Sequence, residues 1–323
     1  MEVTPTRRLE LVTGQAHPAL ALEIASCLGV RLSETNFRAF ADGEMHCRFD
    51  SSVRGTDLFI IQTHSGPVND AIMEQLIMVD AAKRASARRI TVVCPYYGYS
   101  RHDRKSTGRE PITAKLIADL FSVAGVDRVV SVDLHSGQIQ GFLDVPVDHL
   151  TAAPVLLGYL REHDPGDLVM VSPDAGRVKV AERYSQLLGT DLAFVHKRRP
   201  RGTFNQVEAM DVVGDVDGRP CVIIDDMIDT AGTVCAAAAR LADAGATDVW
   251  AMATHALLSA PALERLEKAP ISRVVVTNTL PLPESRRIPK VEVLSIARIV
   301  ADAISAVFED TSVSEIFGGQ NLL

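Results

Sequence analysis

Short apolar, β-branched runs recur along this 323-residue chain, and helical stretches separate them. The runs cover residues 58–62, 90–94, 129–132, 168–171, 222–224, 249–253 and 273–277. They lack the apolar–polar alternation of a half-exposed strand, which predicts strands covered on both faces. Helices are predicted over residues 71–87, 112–124, 178–188 and 233–244. Alternation of strand and helix predicts an α/β fold with mainly parallel sheets flanked by helices. Several runs end in polar residues: Asp133-Leu134-His135, Ser172-Pro173-Asp174 and Asp225-Asp226. Ligands of open α/β sheets gather at such carboxyl ends. Each half of the chain carries one, which suggests two related domains joined near Leu150. We expect an N-terminal domain over residues 1–149, a C-terminal domain over 150–305, and a tail, 306–323, packing back onto the first.

Composition narrows the class. Apolar residues make up 47% and charged residues 23%, as in ordinary globular proteins. The net charge of −8 argues against a general nucleic-acid binder, so any anionic substrate needs local basic clusters. Cys27, Cys47, Cys94, Cys221 and Cys235 are odd in number and show no CxxC spacing. Reduced thiols in a cytoplasmic protein are expected, not a disulfide frame or zinc site. The N-terminus lacks the apolar core of a signal peptide, and no run approaches the ~20 residues of a membrane span. Neither nucleic acid nor membrane is expected as a partner.

The most informative segment is Ile223-Ile224-Asp225-Asp226-Met227-Ile228-Asp229-Thr230-Ala231-Gly232-Thr233, followed by an alanine-rich helix. The chain is expected to leave the sheet after Ile224. A loop feeding a helix N-terminus presents backbone N–H groups and the positive end of the helix dipole. Thr230 and Thr233 add hydroxyls, and Gly232 permits close approach of a ligand. Asp225 and Asp226 could accept hydrogen bonds from vicinal sugar hydroxyls. The competing reading is an ordinary strand–turn–helix with Asp and Thr as caps. No GxxxxGK[ST] or GxGxxG occurs, which speaks against a P-loop or a Rossmann nucleotide site.

The same run resembles the PRPP-binding motif of the type I phosphoribosyltransferase fold. Further motifs resemble the ribose-phosphate pyrophosphokinase (PRPP synthase) family, class I, in order along essentially the whole chain. They are Phe40-Ala41-Asp42-Gly43-Glu44, Tyr99-Ser100-Arg101-His102-Asp103-Arg104-Lys105, Arg109-Glu110-Pro111-Ile112-Thr113, Val132-Asp133-Leu134-His135, Ser172-Pro173-Asp174 and Lys197-Arg198-Arg199-Pro200. Two departures stand out: His102 replaces the family's usual Gln, and Gly176-Arg177 replaces a frequent Gly-Gly.

The resemblance implies two phosphoribosyltransferase-like domains. It implies transfer of the β,γ-diphosphoryl group of ATP to the C1 hydroxyl of ribose 5-phosphate. PRPP and AMP result, for nucleotide, histidine and tryptophan biosynthesis. Lys197 and Arg199 are the implied catalytic arm. Phe40, Asp42, Gly43, Glu44, Arg101, His102 and Asp103 are implied to bind ATP. Arg199, Asp225, Asp226, Asp229, Thr230, Ala231, Gly232 and Thr233 are implied to bind ribose 5-phosphate. His135 and Asp174 match metal positions for Mg2+, with Asp133 nearby in sequence. Residues 100–110 resemble a mobile catalytic loop. Ser312 and Ser314 with Arg48 and Arg54 are implied to form a site for phosphate and ADP as regulators, in a homo-oligomer that is typically a hexamer. The alternatives are a phosphoribosyltransferase, a non-catalytic regulatory subunit of this family, and a PRPP-sensing regulator. The Phe40–Glu44 segment and the retained Arg101, Lys197 and Arg199 favour the active enzyme.

Overall fold

The computed structural model describes residues 7–163, 165–198 and 209–317. Of Lys197, Arg198, Ala209 and Met210 it describes only the backbone. Two compact units are present. One takes the chain up to Thr151, Thr279–Pro281 and the stretch beginning at Ile296. The other takes Ala152–Asn278 and Leu282–Ser295. Among the described residues, no helix is long and apolar enough to cross a membrane.

The first unit contains β1 (Leu9–Thr13), α1 (Pro18–Leu28), β2 (Thr35–Ala39), β3 (Met45–Phe49), β4 (Asp57–Ile61), α2 (Val68–Arg84), β5 (Arg89–Cys94), α3 (Thr113–Ala124), β6 (Arg128–Val132) and β7 (Val147–Leu150). Five strands form a parallel sheet in the order β1-β4-β5-β6-β7. Leu58, Ile60, Val92, Cys94 and Val129 pack with Val79, Ala82, Ala118 and Phe121 of α2 and α3. The alternate positions Phe59, Ile61, Val93 and Val130 are buried as well. Burial on both faces is why these runs show no alternation. Each fully buried large apolar side chain contributes about 1.5–3 kcal/mol. The hairpin β2–β3 is a separate antiparallel pair.

The second unit contains α4 (Ala153–His163), β8 (Val169–Ser172), α5 (Val178–Leu188), β9 (Asp191–Arg198), β10 (Ala209–Val213), β11 (Pro220–Ile228), α6 (Gly232–Asp243), β12 (Asp248–Ala256), α7 (Ala262–Lys268), β13 (Arg273–Thr277) and β14 (Val291–Leu294). Its sheet runs β10-β9-β8-β11-β12-β13-β14, antiparallel only at β9–β10. Val169, Val171, Cys221, Ile223, Ala251 and Val274 pack with Val234, Ala238, Leu241 and Leu266 of α6 and α7.

The last α-helix among the described residues, α8 (Ala297–Glu309), packs on α1 within the first unit. A charge network fastens the end of α8. Buried Asp57 accepts from Arg7 at 3.0 Å, Arg88 at 2.7 Å and Arg89 at 3.2 Å. Arg89 also donates to Asp310 at 3.0 Å and to the Val307 carbonyl at 2.8 Å. Arg7 bonds Asp310 too.

Candidate active site

In the second unit, strand lengths make the site. β8 pairs with β11 only through Val171↔Ile223, and with β9 only through Ser172↔Phe194. β11 continues to Ile228 and β9 to Arg198. The short strand thus leaves a notch between two longer ones. It also sits where the strand order reverses, since β9 lies on one side of β8 and β11 on the other. Crevices at such a reversal are the usual ligand sites of open α/β sheets.

The expectation that the chain leaves the sheet after Ile224 is corrected. β11 stays paired with β12 through Asp225↔Ala253, Met227↔His255 and Ile228↔Ala256. Met227 and Ile228 are buried, so the strand runs on until its apolar positions are used. Asp225 and Asp226 therefore lie within a strand, on the edge that β8 no longer covers.

Asp226 is 8% exposed. The amide of Asp226 donates to Asp225 Oδ1 at 2.8 Å. Arg177 reaches both acids, with Nη2 2.8 Å from Asp226 Oδ2 and Nε 3.5 Å from Asp225 Oδ1. Burial, and then the charge of Asp226, push the Asp225 carboxyl up to about 8. Arg177 pulls in the opposite direction.

Past Ile228 the chain turns through Asp229 and Thr230 into α6. Ala231 occupies the N-cap position in the left-handed region, φ 58°, and its methyl side chain offers no cap. The first-turn N–H groups of α6 have no partner within a helix by construction. Arg265, from α7, donates to the Thr230 carbonyl at 2.9 Å. Its Nη1 lies 3.3 Å from where a Cβ of Gly232 would stand. A cation beside a helix N-terminus adds to the positive end of the dipole, and two like charges converge there. An anion is what such a place lacks.

Asp174 lies in the turn after β8, where its Oδ1 accepts from the Gly176 amide at 2.8 Å. Ser172 Oγ donates to the Asp174 carbonyl at 2.6 Å. Lys197 lies near the end of β9, its backbone opposite Met210. Arg199 lies outside the described residues. Parallel strands place the ends of β9, β8 and β11 along one edge, so Lys197, Asp174 and the cradle share it.

In the first unit, Phe40, Asp42, Gly43 and Glu44 form the tip of the β2–β3 hairpin. The Phe40 amide donates to the Glu44 carbonyl at 2.8 Å, and the Glu44 amide to Asp42 Oδ1 at 3.1 Å. Gly43 turns the chain at φ 93°, a conformation that favours glycine. The Phe40 ring is 57% exposed.

Arg101, His102 and Asp103 follow β5, and Asp133 and His135 follow the adjacent β6. The segment 100–110 is anchored at both ends. At its start, buried His64 accepts from the Gly98 amide through Nδ1 at 2.8 Å, and its Nε2 meets Gln75 Oε1 at 2.9 Å. A Cβ on Gly98 would come within 2.9 Å of the His64 Cβ, so only glycine fits. At the far end, Glu110 accepts from the Ser106 amide at 2.7 Å and from the Thr107 amide and hydroxyl at 3.0 and 2.7 Å. The Thr107 bonds hold the Glu110 carboxyl below its usual range. Between these anchors Arg101 and His102 are exposed, and the His102 ring lies 5.8 Å from Tyr99.

His135 and Asp174 belong to different units, and among the described residues no group of three or more His, Cys, Asp or Glu side chains could cage a metal. Arg48 is exposed on β3, Arg54 is exposed before β4, and Ser312 and Ser314 share a hydrogen bond of 2.8 Å. No hydrogen bond joins those arginines to those serines. All five cysteines are free thiols, and burial pushes Cys47 and Cys94 up to about 12, far from a nucleophilic thiolate. Arg265 and His64 had no local sequence signal, and Glu110 appeared only within a quoted motif. Arg177 stood out only as a departure from a pattern.

Residues 9–125 match a model described as the N-terminal domain of ribose phosphate pyrophosphokinase. Residues 195–318 match the phosphoribosyl synthetase-associated domain. A ribose-phosphate pyrophosphokinase of Bifidobacterium longum is 54% identical over 321 residues, 98% of this chain and 94% of that one. One of Streptomyces avermitilis is 53% identical, with 99% of each covered. The crystal structure of phosphoribosylpyrophosphate synthetase from Mycobacterium smegmatis matches with a TM-score of 0.90 at 51% identity, covering 94% of this chain and all of that one. Full-length similarity of this order, with both family models matched, establishes that the chain belongs to the ribose-phosphate pyrophosphokinase family.

Proposed function

We infer that the chain is an active ribose-phosphate diphosphokinase that converts ATP and ribose 5-phosphate to AMP and PRPP. One observation carries the acceptor site. A helix N-terminus with Arg265 beside it follows, in one continuous run, a pair of acids at the open edge of β11. The cradle of Asp229, Thr230, Ala231, Gly232 and Thr233 suits the 5-phosphate. Asp225 and Asp226 suit the ring hydroxyls. We assign the acceptor to the second unit and ATP to the first, where Phe40 offers a stacking face and Asp42 and Glu44 can accept from the adenine amino group.

The C1 hydroxyl attacks the β-phosphorus in line. A C1–O–P bond forms, the bond from the β-phosphorus to the bridging oxygen breaks, and AMP leaves with that oxygen. The C1 hydroxyl gives up its proton. Positioning and charge stabilisation do most of the work in such transfers. Lys197, near the end of β9, and Arg199 would neutralise the moving diphosphate, with Arg199 also contacting the acceptor. Arg101 can pair bidentately with phosphate oxygens beside His102 and Asp103. Closure of residues 100–110 would exclude water.

Members of such a kinase-type transferase family generally use Mg2+, which spreads the negative charge of ATP. His135 and Asp174 would each contribute a single ligand. That fits ions that keep waters and substrate oxygens instead of a full protein cage. A homohexamer, regulation by phosphate and ADP at Arg48, Arg54, Ser312 and Ser314, and a cytoplasmic setting complete the proposal. The unpaired cysteines support the last point.

The test is direct. Purified protein with Mg2+, ATP and ribose 5-phosphate in phosphate buffer should release AMP and PRPP in equal amounts. Absence of both products would overturn the reading.

A further inference from the structure

We propose that Arg177 is a positioning residue of the sugar site. It straddles the open edge of β11 and holds the carboxylates of Asp225 and Asp226 together, ready to accept from the vicinal hydroxyls of the pentose. The proposal rests on the reading of these two acids as the hydroxyl acceptors.

The geometry starts from a conflict. Successive residues of a strand point to opposite faces, so Asp225 and Asp226 should diverge. Yet one guanidinium reaches both, at 3.5 and 2.8 Å. The partner strand β8 stops at Ser172, which leaves that edge of β11 open, and Arg177 reaches it from the N-cap of α5. The turn is fixed by its own hydrogen bonds, from the Ser172 hydroxyl to the Asp174 carbonyl and from the Gly176 amide to Asp174 Oδ1. The Arg177 and Asp225 side chains are 17% and 18% exposed and that of Asp226 is 8%.

Two adjacent carboxylates at such burial repel each other and resist desolvation. A planar guanidinium meets this better than an ammonium. It is always charged, and its separate donors serve two acceptors at once. It uses Asp225 Oδ1 and Asp226 Oδ2 for this purpose. Arg177 therefore sets the direction of both acids before sugar arrives. It acts on ribose 5-phosphate through them and has no assigned contact with the reacting atoms.

Steady-state kinetics of the full chain test this. Arg177→Ala should raise the KM for ribose 5-phosphate by about 10-fold to 100-fold, the range for losing hydrogen bonds to a charged group. The KM for ATP should move less than about twofold. Arg177→Lys, which keeps the charge but loses the fork, should recover part of the loss. In an Asp226→Asn background the Arg177→Ala effect should shrink, because residues acting as one unit are not additive. An unchanged or lowered KM for ribose 5-phosphate in Arg177→Ala would overturn the proposal, as would an equal loss in both backgrounds. If Arg177→Ala does not fold, the Arg177→Lys comparison decides, and a native KM for ribose 5-phosphate there counts against the fork. Asp225→Asn separates the two readings. If it leaves ribose 5-phosphate affinity intact, the site assignment fails whatever Arg177 does. If it weakens affinity while the Arg177 variants do not, only the role of Arg177 fails.

Discussion

The sheet of the first unit runs β1-β4-β5-β6-β7 in one direction, whereas that of the second reverses at β8 and β11. The reversal, together with a short β8, opens a notch lined by a buried charge cluster. Asp225, Asp226 and Arg177 are there before any ligand arrives, and Arg265 sits at the helix end that follows. The first unit keeps its candidate residues elsewhere. They sit on an exposed hairpin tip and an exposed segment after β5, ordered mainly by Glu110 and by the His64–Gly98 contact at its base. Buried charges can only be held where partners are fixed, which is why we assign the preorganised acceptor site to the second unit. Exposed loops on a firm sheet are suited to a ligand that is gripped on closure. Substitutions should separate the two designs. In the second unit they should act on chemistry or on sugar affinity, and in the first on ATP affinity or on the scaffold beneath the loop.

The sharpest separation is expected at Lys197. Lys197→Ala should lower turnover by at least about 100-fold, as the loss of one electrostatic stabiliser of a transition state does. Binding of ribose 5-phosphate, measured by calorimetry, should change little, since the cradle lies on another strand. Near-normal turnover would remove Lys197 from the mechanism and leave the second unit as a binding site only.

How much of this could be read from sequence depends on contiguity. The runs 273–277 and 178–188 coincide with β13 and α5, because β13 is buried along nearly its whole length and α5 buries one periodic face through Ala181, Tyr184 and Ser185. The cradle was legible because its parts are adjacent along the chain. Strand β11 was read too short, since two acids look like the end of a strand when the ion pair that tolerates them is unseen. The hairpin β2–β3 escaped prediction because its strands, TNFRA and MHCRF, are only half covered and carry exposed Arg38 and Arg48. Arg177 and Arg265 belong to other connections than the residues they serve. Their roles come from where β8 stops and where α7 docks, which no local pattern encodes.

The next largest effect uses pH, and the two units should respond with opposite sign. Buried His64 is held neutral by desolvation, its pKa lowered from 6.5 to about 4. Below pH 6.5 the unfolded chain takes up a proton that the folded first unit refuses until about pH 4. Its stability therefore falls across that window, by up to about 3 kcal/mol. Asp225 is shifted the other way, to about 8. Between its ordinary value and pH 8 the folded second unit holds more proton than the unfolded chain, so acidification from pH 8 relieves it. Hydrogen exchange at pH 4.5 against pH 7, corrected for intrinsic rates, should show lost protection in β5 with retained or increased protection in β11. His64→Gln should flatten the response of β5. Equal loss in both strands would show that neither buried group governs acid stability.

The smallest effect expected is at the hairpin tip. Phe40 is more than half exposed, so Phe40→Ala should leave folding stability within about 0.5 kcal/mol of native, as surface substitutions usually do. If the ring stacks on adenine, its loss should weaken ATP by about 1 kcal/mol, the low end for base–aromatic stacking, and raise the KM for ATP roughly fivefold. The KM for ribose 5-phosphate should not change, because the acids and the cradle that serve it are held by Arg177 and Arg265 within the other unit. Titrating each substrate at saturating concentration of the other reads both values from one preparation. A change in the KM for ribose 5-phosphate alone would break the division of labour between the units. An unchanged KM for ATP would take Phe40 out of the nucleotide site and leave Asp42 and Glu44 to recognise the base from the turn that Gly43 shapes.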